Sequence, residues 1–338
     1  MQWNRVITAY DVHAEGETGR VVTGGIIPPL GNSVYEKMCH MRENNDWIRK
    51  FLLNEPRGGN TSSANILVPP CDPRASVGYI IIETAEYCAM SGSNTICTAT
   101  AALEAGIVPM TGDVTKFGME APGGLIEITA DTRGGRAREI EFRNQPAFVC
   151  HLDHPLQVEG LGEVTADIAY GGMFFVIVDA EALGFKIVPE EGKALVDLGM
   201  RLTRAAAEQV EAVHPENPGL HTVSIACLAM PVKNGPGGKT SRNACIVQPG
   251  RIDRCPTGTV TCARLAVMHA RGQIAVGETF TNHSILDTRF RSKIVETTIC
   301  GGVPAVIPTV AGRGFVTGMM TYGLDPNDPF PEGYRIPD

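Results

Sequence analysis

The sequence predicts an α/β (α+β) protein of two similar domains, and three observations carry the prediction. A strand-like run passes through a small-residue turn into an Ala- and Leu-rich helix at two places, around Met90–Ala99 and Asp253–Val260. A motif that opens a strand recurs at an offset of about 160 residues, nearly the separation of the two turns, as internal duplication would give. Short β-branched runs alternate with few helical ones over 338 residues, enough for two domains with cores of their own.

The recurring motif is Thr8-Ala-Tyr10-Asp11 in the first half and Ile168-Ala-Tyr170-Gly171 in the second, the latter leading into a strand over Met173–Asp179. Gly78–Thr84 is a β-branched apolar block and reads as a buried strand, followed by a helix over Thr95–Glu104 that Gly106 ends. In the second half Asn243–Val247 reads as the strand and Val260–Ala270 as the helix, with Arg271-Gly272 as its stop. Both helices are apolar on nearly every face, which predicts burial, with Ile96, Leu103, Leu265 and Met268 in the core. Lys193–Ala212 mixes charged and apolar residues at helical spacing and reads as a surface helix with a solvated face. A boundary is expected between Asp153 and Thr165, giving a first domain over 1–160 and a second over 165–310. The segment 311–338 is set apart, with a return to the first domain left open.

Composition narrows the function. A net charge of −8 and a pI near 5.6 argue against nucleic-acid binding, which needs a basic patch. No apolar run approaches the roughly 18 residues of a membrane span, and Met1–Val6 lacks a secretory pattern. Ten scattered Cys without C-x-x-C spacing read as reduced thiols of a cytoplasmic protein. The eight His show no zincin spacing, and His151 and His154 sit in a loop-like Asp-His-Pro context, so no metal centre is expected. Gly235-Pro-Gly-Gly238-Lys239-Thr240 has part of a P-loop pattern, but Lys233 stands where the first Gly belongs and the following residues are strand-like. A surface turn is the better reading, Lys239 lacks the context of a pyridoxal phosphate anchor, and no cofactor is expected.

The two turns point to a small anionic ligand. A helix whose first turn is Ser, Gly, Thr and Asn presents unpaired backbone N–H groups and the positive end of its dipole, which suit a carboxylate or phosphate. The plainer alternative is that Ser91, Ser93, Asn94 and Thr257 only cap their helices. The pairing of the turns favours a site that holds one small anion between them.

These residues, with others along the chain, resemble the proline racemase family, a cofactor-independent group that includes proline racemases, 4-hydroxyproline epimerases and trans-3-hydroxy-L-proline dehydratases. The resemblance extends over nearly the whole chain: Asp11-Val-His13-Ala-Glu-Gly16-Glu17 with Arg20, Glu55-Pro-Arg57-Gly58, the two turns, and Gly318 through Gly333 with Asp325 and Asp328. It implies two domains like those of diaminopimelate epimerase, each a curved mixed sheet wrapped around its central helix, with the site in the cleft between them. It implies Ser91 and Thr257 at the two catalytic positions, Gly92, Ser93, Gly258 and Thr259 as backbone ligands of a carboxylate, and Asp253 as the partner of a ring ammonium. The expected partner is a small molecule, proline or a hydroxyproline-like amino acid, and a homodimer is left open as the assembly.

The family usually carries a thiol at each catalytic position, so Ser91 and Thr257 replace both. Its dehydratases keep the first thiol and carry Thr at the second position, and some epimerases carry Ser at the first. A thiol near pKa 8.5 is partly ionised at a helix start, whereas an aliphatic hydroxyl needs an adjacent base, and neither turn supplies one in sequence. Two-base epimerisation needs a proton donor on the second face; dehydration does not, because the β-hydroxyl leaves instead. The expectation is therefore an enzyme most like the trans-3-hydroxy-L-proline dehydratases, with an epimerase or racemase as the alternative. A binding protein or an enzyme for another small amino acid is the competing class. Cys255, two residues before Thr257, is a minor candidate for the site, while Cys88, Cys97 and Cys255 all read most simply as core filler.

Overall fold

The computed structural model describes residues 3–336. Two compact units emerge: the described residues through Glu141 together with those from Arg313 onward, and Phe142–Gly312. In the first unit, β1 (Arg5–Ala14) and β2 (Glu17–Gly24) form a hairpin, and α1 (Val34–Asn44) and α2 (Trp47–Leu53) precede β3 (Ser63–Val68). Then come β4 (Ala75–Glu83), β5 (Tyr87–Cys88), α3 (Gly92–Glu104), β6 (Val114–Ala121) and β7 (Gly124–Asp131).

β8 (Glu139–Arg143) carries the chain into the second unit, which opens with β9 (Ala147–Val158), β10 (Gly162–Tyr170) and β11 (Phe174–Asp179). After α4 (Gly192–Gln209) come β12 (Val213–His214), β13 (Asn217–His221), β14 (Ile225–Ala229), β15 (Lys233–Gly235), β16 (Gly238–Val247) and β17 (Arg251–Ile252). The unit continues with α5 (Gly258–Ala270), β18 (Thr279–His283), β19 (Arg289–Cys300) and β20 (Val303–Gly312). Finally β21 (Gly314–Leu324) pairs antiparallel with β1 of the first unit, which is why the segment from Arg313 groups there.

The duplication is written in the strand pairing. In the first unit β1–β2 is antiparallel, β2–β3 parallel, β3–β4 antiparallel, β4–β6 parallel and β6–β7 antiparallel. The second unit repeats the series with β10–β11, β11–β14, β14–β16, β16–β18 and β18–β19. In each unit a helix joins the third pair's last strand to its parallel neighbour, α3 in one and α5 in the other, so each is a curved mixed sheet around a central helix. These helices are buried from Gly92 through Leu103 and from Gly258 through Met268. Both end as expected, at Gly106 (φ 69°) and Gly272 (φ 67°), which take the left-handed conformation that closes a helix.

The period of two along the strands divides each sheet's faces. On β14 and β16, Cys227, Ala229, Cys245 and Val247 pack with Val260, Ala263 and Val267 of α5. Their neighbours Ala226, Leu228, Ala244 and Ile246 pack on Leu195, Leu198 and Leu202 of α4, the expected surface helix, which buries one stripe and begins one residue early. In the first unit Ile66, Ile80 and Ile82 meet Met38, Met41, Phe51 and Leu52 of α1 and α2.

One sequence expectation fails in its local structure. The stretch from Asp153 to Thr165 is not a linker: it is the body of the β9–β10 hairpin, with Leu156 opposite Val164 and Pro155 opposite Thr165. His151 and His154 are strand residues with ring centroids 5.0 Å apart. Asp, His, Pro and Gly mask an alternation whose buried members are Leu156, Val158, Val164 and Ala166. The unit division falls between Glu141 and Phe142 instead. The Gly235–Gly238 stretch is a hairpin turn between β15 and β16. Among the described residues no helix is long and apolar enough to cross a membrane.

Candidate active site

Ser91 precedes α3 in an extended conformation (φ −146°, ψ 121°), and the first helical bond runs from Thr95 N to Ser91 O at 2.9 Å. The N–H groups of Gly92, Ser93 and Asn94 therefore have no acceptor within the helix. The Ser91 hydroxyl makes no capping bond; its Oγ accepts from Asn94 Nδ2 at 3.0 Å. Asn94 Oδ1 in turn accepts from Asn65 Nδ2 at 2.8 Å and lies 3.0 Å from Ser63 Oγ. Thr95 Oγ1 is 2.6 Å from the hydroxyl of buried Tyr79. Gly19 admits β2 to this cluster, because a Cβ there would lie 2.9 Å from both Asn94 Oδ1 and Cys97 Sγ.

Thr257 precedes α5 with φ 59° and ψ 109°. A β-branched residue there is an outlier, with strain of about 1–3 kcal/mol that its surroundings must hold. Three bonds do so: Thr257 Oγ1 donates to Asp253 Oδ2 at 2.6 Å, Thr257 N donates to Cys255 Sγ at 3.3 Å, and Thr257 O accepts from Thr261 N at 3.0 Å. Asp253 Oδ1 accepts from Arg251 Nη1 at 3.0 Å, and the two side chains are only 10% and 5% exposed. Beneath the turn, Asn282 Nδ2 donates to Asn243 Oδ1 and, at 2.9 Å, to Thr261 Oγ1, while Asn243 Nδ2 donates to Pro256 O at 3.1 Å. Gly171 gives β10 its close approach, since a Cβ there would meet Ala263 N at 2.5 Å.

The expected residues thus group by unit: Ser91, Gly92 and Ser93 at the start of α3, and Asp253, Thr257, Gly258 and Thr259 at the start of α5. Asp253, expected as the partner of a ring ammonium, already accepts one bond on each oxygen, and each has a second lone pair. It is also the neighbouring base of Thr257, four residues before it in sequence and brought onto its hydroxyl by the positive φ of the turn. Cys88, Cys97 and Cys255 are all buried, and burial followed by the Glu17 charge pushes the Cys97 thiol far up. The Cys255 sulfur accepts the Thr257 N–H and so belongs to the turn's own bonding. The thiol that sequence reading missed is Cys245, which lies beside Thr257 and Asp253 on β16. Its signal was present: alternation along Asn243–Val247 puts Asn243, Cys245 and Val247 on one face.

Outside the turns, the motifs of the first unit are structural ties. Arg20 Nε pairs with Asp11 at 2.8 Å and Arg20 Nη1 donates to the carbonyls of Leu52 and Arg57. Arg57 reaches Asp328 at 3.2 Å and the carbonyls of Phe51 and Phe330, which fastens the C-terminal segment. Among the described residues one group, Glu83, Glu86 and Cys88, brings three metal-type donor atoms within 4.8 Å of one another; acidic groups at such turns are common without an ion.

Known proteins give the site its context. The proline racemase family model matches residues 9–335. A hydroxyproline epimerase from Agrobacterium vitis, solved with bound trans-4-hydroxy-L-proline, is 36% identical over 99% of this chain and 96% of its own, with a TM-score of 0.94. A probable proline racemase from Agrobacterium radiobacter K84, solved with bound carbonate, is 37% identical over 98% and 96%, with a TM-score of 0.92. A methylitaconate-Δ-isomerase at 12% identity, covering 94% of this chain and 95% of its own with a TM-score of 0.56, shares the fold alone. With the match extending from β1 to the C-terminal segment, this chain belongs to the proline racemase family and is an enzyme.

Proposed function

We propose that the protein removes the Cα proton of a cyclic amino acid and expels a β-hydroxyl, acting as a trans-3-hydroxy-L-proline dehydratase. The observation that carries this reading is the bond from Thr257 Oγ1 to Asp253 Oδ2. The single proton of Thr257 is committed to a carboxylate, so its oxygen faces the ligand with lone pairs and has no proton to deliver to Cα. Negative charge on that oxygen is opposed by Asp253. Ser91 is the reverse case, because its oxygen accepts from the Asn94 amide at a helix start and both stabilise charge on it. Ser91, as the alkoxide, takes the Cα proton and passes it to the departing C3 hydroxyl, which leaves as water as its C–O bond breaks; the resulting enamine tautomerises to pyrroline-2-carboxylate.

In this reading the two helix starts serve one ligand. The N–H groups of Gly92, Ser93, Gly258 and Thr259 bind its carboxylate, and Asp253 receives its ammonium through the free lone pairs. The protein works without a cofactor, in the cytoplasm. A second reading, 4-hydroxyproline epimerase or proline racemase, is supported by the two solved relatives at 36% and 37% identity.

Incubation in deuterated water separates the two. Pyrroline-2-carboxylate from trans-3-hydroxy-L-proline, with no deuterium gained at Cα of proline or trans-4-hydroxy-L-proline, is the expected result. Deuterium at Cα without dehydration overturns it in favour of the second reading. Binding of these ligands with neither reaction would place the protein among family members that convert another substrate.

A further inference from the structure

Cys227 and Cys245 face each other across the antiparallel β14–β16 ladder. Which rung they occupy follows from the hydrogen bonds. Met230 N donates to Arg242 O at 2.8 Å, so the rungs that exchange backbone bonds are Met230/Arg242, Leu228/Ala244 and Ala226/Ile246. Cys227/Cys245 falls between them, and the Cys245 carbonyl turns away to accept from Asp253 N at 2.9 Å. Partners on such a rung stand about 4.5 Å apart at Cα with their side chains at closest approach. A disulfide spans Cα separations of about 4.4–6.8 Å. The two side chains point to the same face, under α5, and pack in one buried cluster with Val260, Ala263 and Val267.

Arg264 supplies the second element. It is buried on α5, and its hydrogen-bond partners are all neutral: Asn243 Oδ1, Asn282 Oδ1, Ser241 Oγ and Met230 O. A guanidinium remains charged when buried, and without an anion it is costly to hold there. Burial pushes the Cys227 thiol up, but Cys245 beside it and the Arg264 charge outweigh that and bring it below the ordinary thiol value. Cys245 goes the other way, raised by burial first and then by Cys227 beside it, so Cys227 is the more acidic of the two.

We propose that Cys227 and Cys245 are an oxidisable dithiol that hydroperoxides convert to an intrachain disulfide. The Cys227 thiolate attacks the peroxide; an S–O bond forms, the O–O bond breaks, and the departing oxygen takes the Cys245 proton to leave as water or an alcohol. The Cys245 thiolate then attacks the Cys227 sulfenic acid, forming S–S and releasing hydroxide. Two sulfurs lose one electron each, and one peroxide is reduced. This chemistry is independent of which amino acid the site converts, and complete burial restricts it to a small oxidant.

The test uses the whole protein and hydrogen peroxide, with exposed Cys71 as the internal reference. Samples are denatured and alkylated at intervals, digested without reduction, and mapped by mass spectrometry. The expected result is a Cys227–Cys245 linked peptide that reaches half its final level before Cys71 loses half of its label, and that is absent from both Cys227→Ser and Cys245→Ser. Loss of Cys71 label while Cys227 and Cys245 remain alkylatable overturns the proposal. So does a linked peptide joining either cysteine to another thiol.

Discussion

At the start of α3 the side chain bonded to the Ser91 hydroxyl is the neutral amide of Asn94, whereas at the start of α5 the Thr257 hydroxyl is bonded to the carboxylate of the Asp253–Arg251 ion pair. The backbones are built alike, each a strand, a turn of small residues and a buried helix. The hydroxyls nonetheless meet opposite partners, an N–H donor for Ser91 and an anionic acceptor for Thr257. Duplication supplied the scaffold twice, and a few side chains at each start set different electrostatics on it. The two turns thus present unlike hydroxyls, which is what the proposed dehydration asks of them.

The sharpest way to break that asymmetry is to give both turns the same acid. Ser91→Cys with Thr257→Cys should raise Cα-hydrogen exchange on proline or trans-4-hydroxy-L-proline by about 10²–10⁴-fold, the usual contribution of a placed acid or base. The α3 start lowers the pKa of a Cys at 91. A thiol at position 257 is a weaker hydrogen-bond donor to Asp253 and a stronger acid than the Thr hydroxyl, so its proton is available to the second face. Thr257→Cys alone should thus raise epimerisation relative to dehydration. A double variant that binds these amino acids, judged by calorimetry, yet exchanges no hydrogen would remove positions 91 and 257 from the two faces of Cα.

Asp253→Ala tests the charged turn against the neutral one. It leaves Arg251 buried without this partner, a change that costs about 3–5 kcal/mol when a buried pair is broken. Ser91→Ala removes one neutral hydrogen bond, at about 0.5–1.5 kcal/mol. Denaturant unfolding should separate the two variants by that margin, and calorimetry with a cyclic amino acid should show the greater loss of binding in Asp253→Ala. Equal binding losses would remove Asp253 from the role of ammonium partner.

The asymmetry was only half legible in the sequence. Strand, turn and helix were readable on both sides, because β-branched runs, small residues and the stops at Gly106 and Gly272 act locally. Period and composition placed Ile96, Leu103, Leu265 and Met268 in the core, where all four lie. The β9–β10 hairpin was hidden because Asp153, His154 and Pro155 are turn-forming residues that here sit in a strand. The partners that distinguish the two turns were hidden for another reason: Asn65 and Asn94 are 29 residues apart, Asn243 and Asn282 are 39 apart, and only the folded sheet brings them together. Arg251, Asp253 and Thr257 are close in sequence, but nothing in their spacing says that a φ of 59° turns the hydroxyl onto the carboxylate.

The smallest expected effect bears on whether Ser91 is only a helix cap. Ser33 at the start of α1 is one: its Oγ accepts from Glu36 N at 3.1 Å, and Glu36 Oε2 accepts from Asn32 N at 2.8 Å, a reciprocal arrangement. Ser33→Ala should therefore cost about 1 kcal/mol of stability with turnover unchanged, since α1 carries none of the proposed site. Ser91 makes no capping bond, so Ser91→Ala should cost no more than its bond to Asn94 while lowering turnover much further. Urea unfolding midpoints and steady-state rates on the same three proteins supply the comparison. If Ser91→Ala behaved as Ser33→Ala does, with a small loss of stability and full turnover, Ser91 would be a residue of the helix start and the base would have to be sought elsewhere.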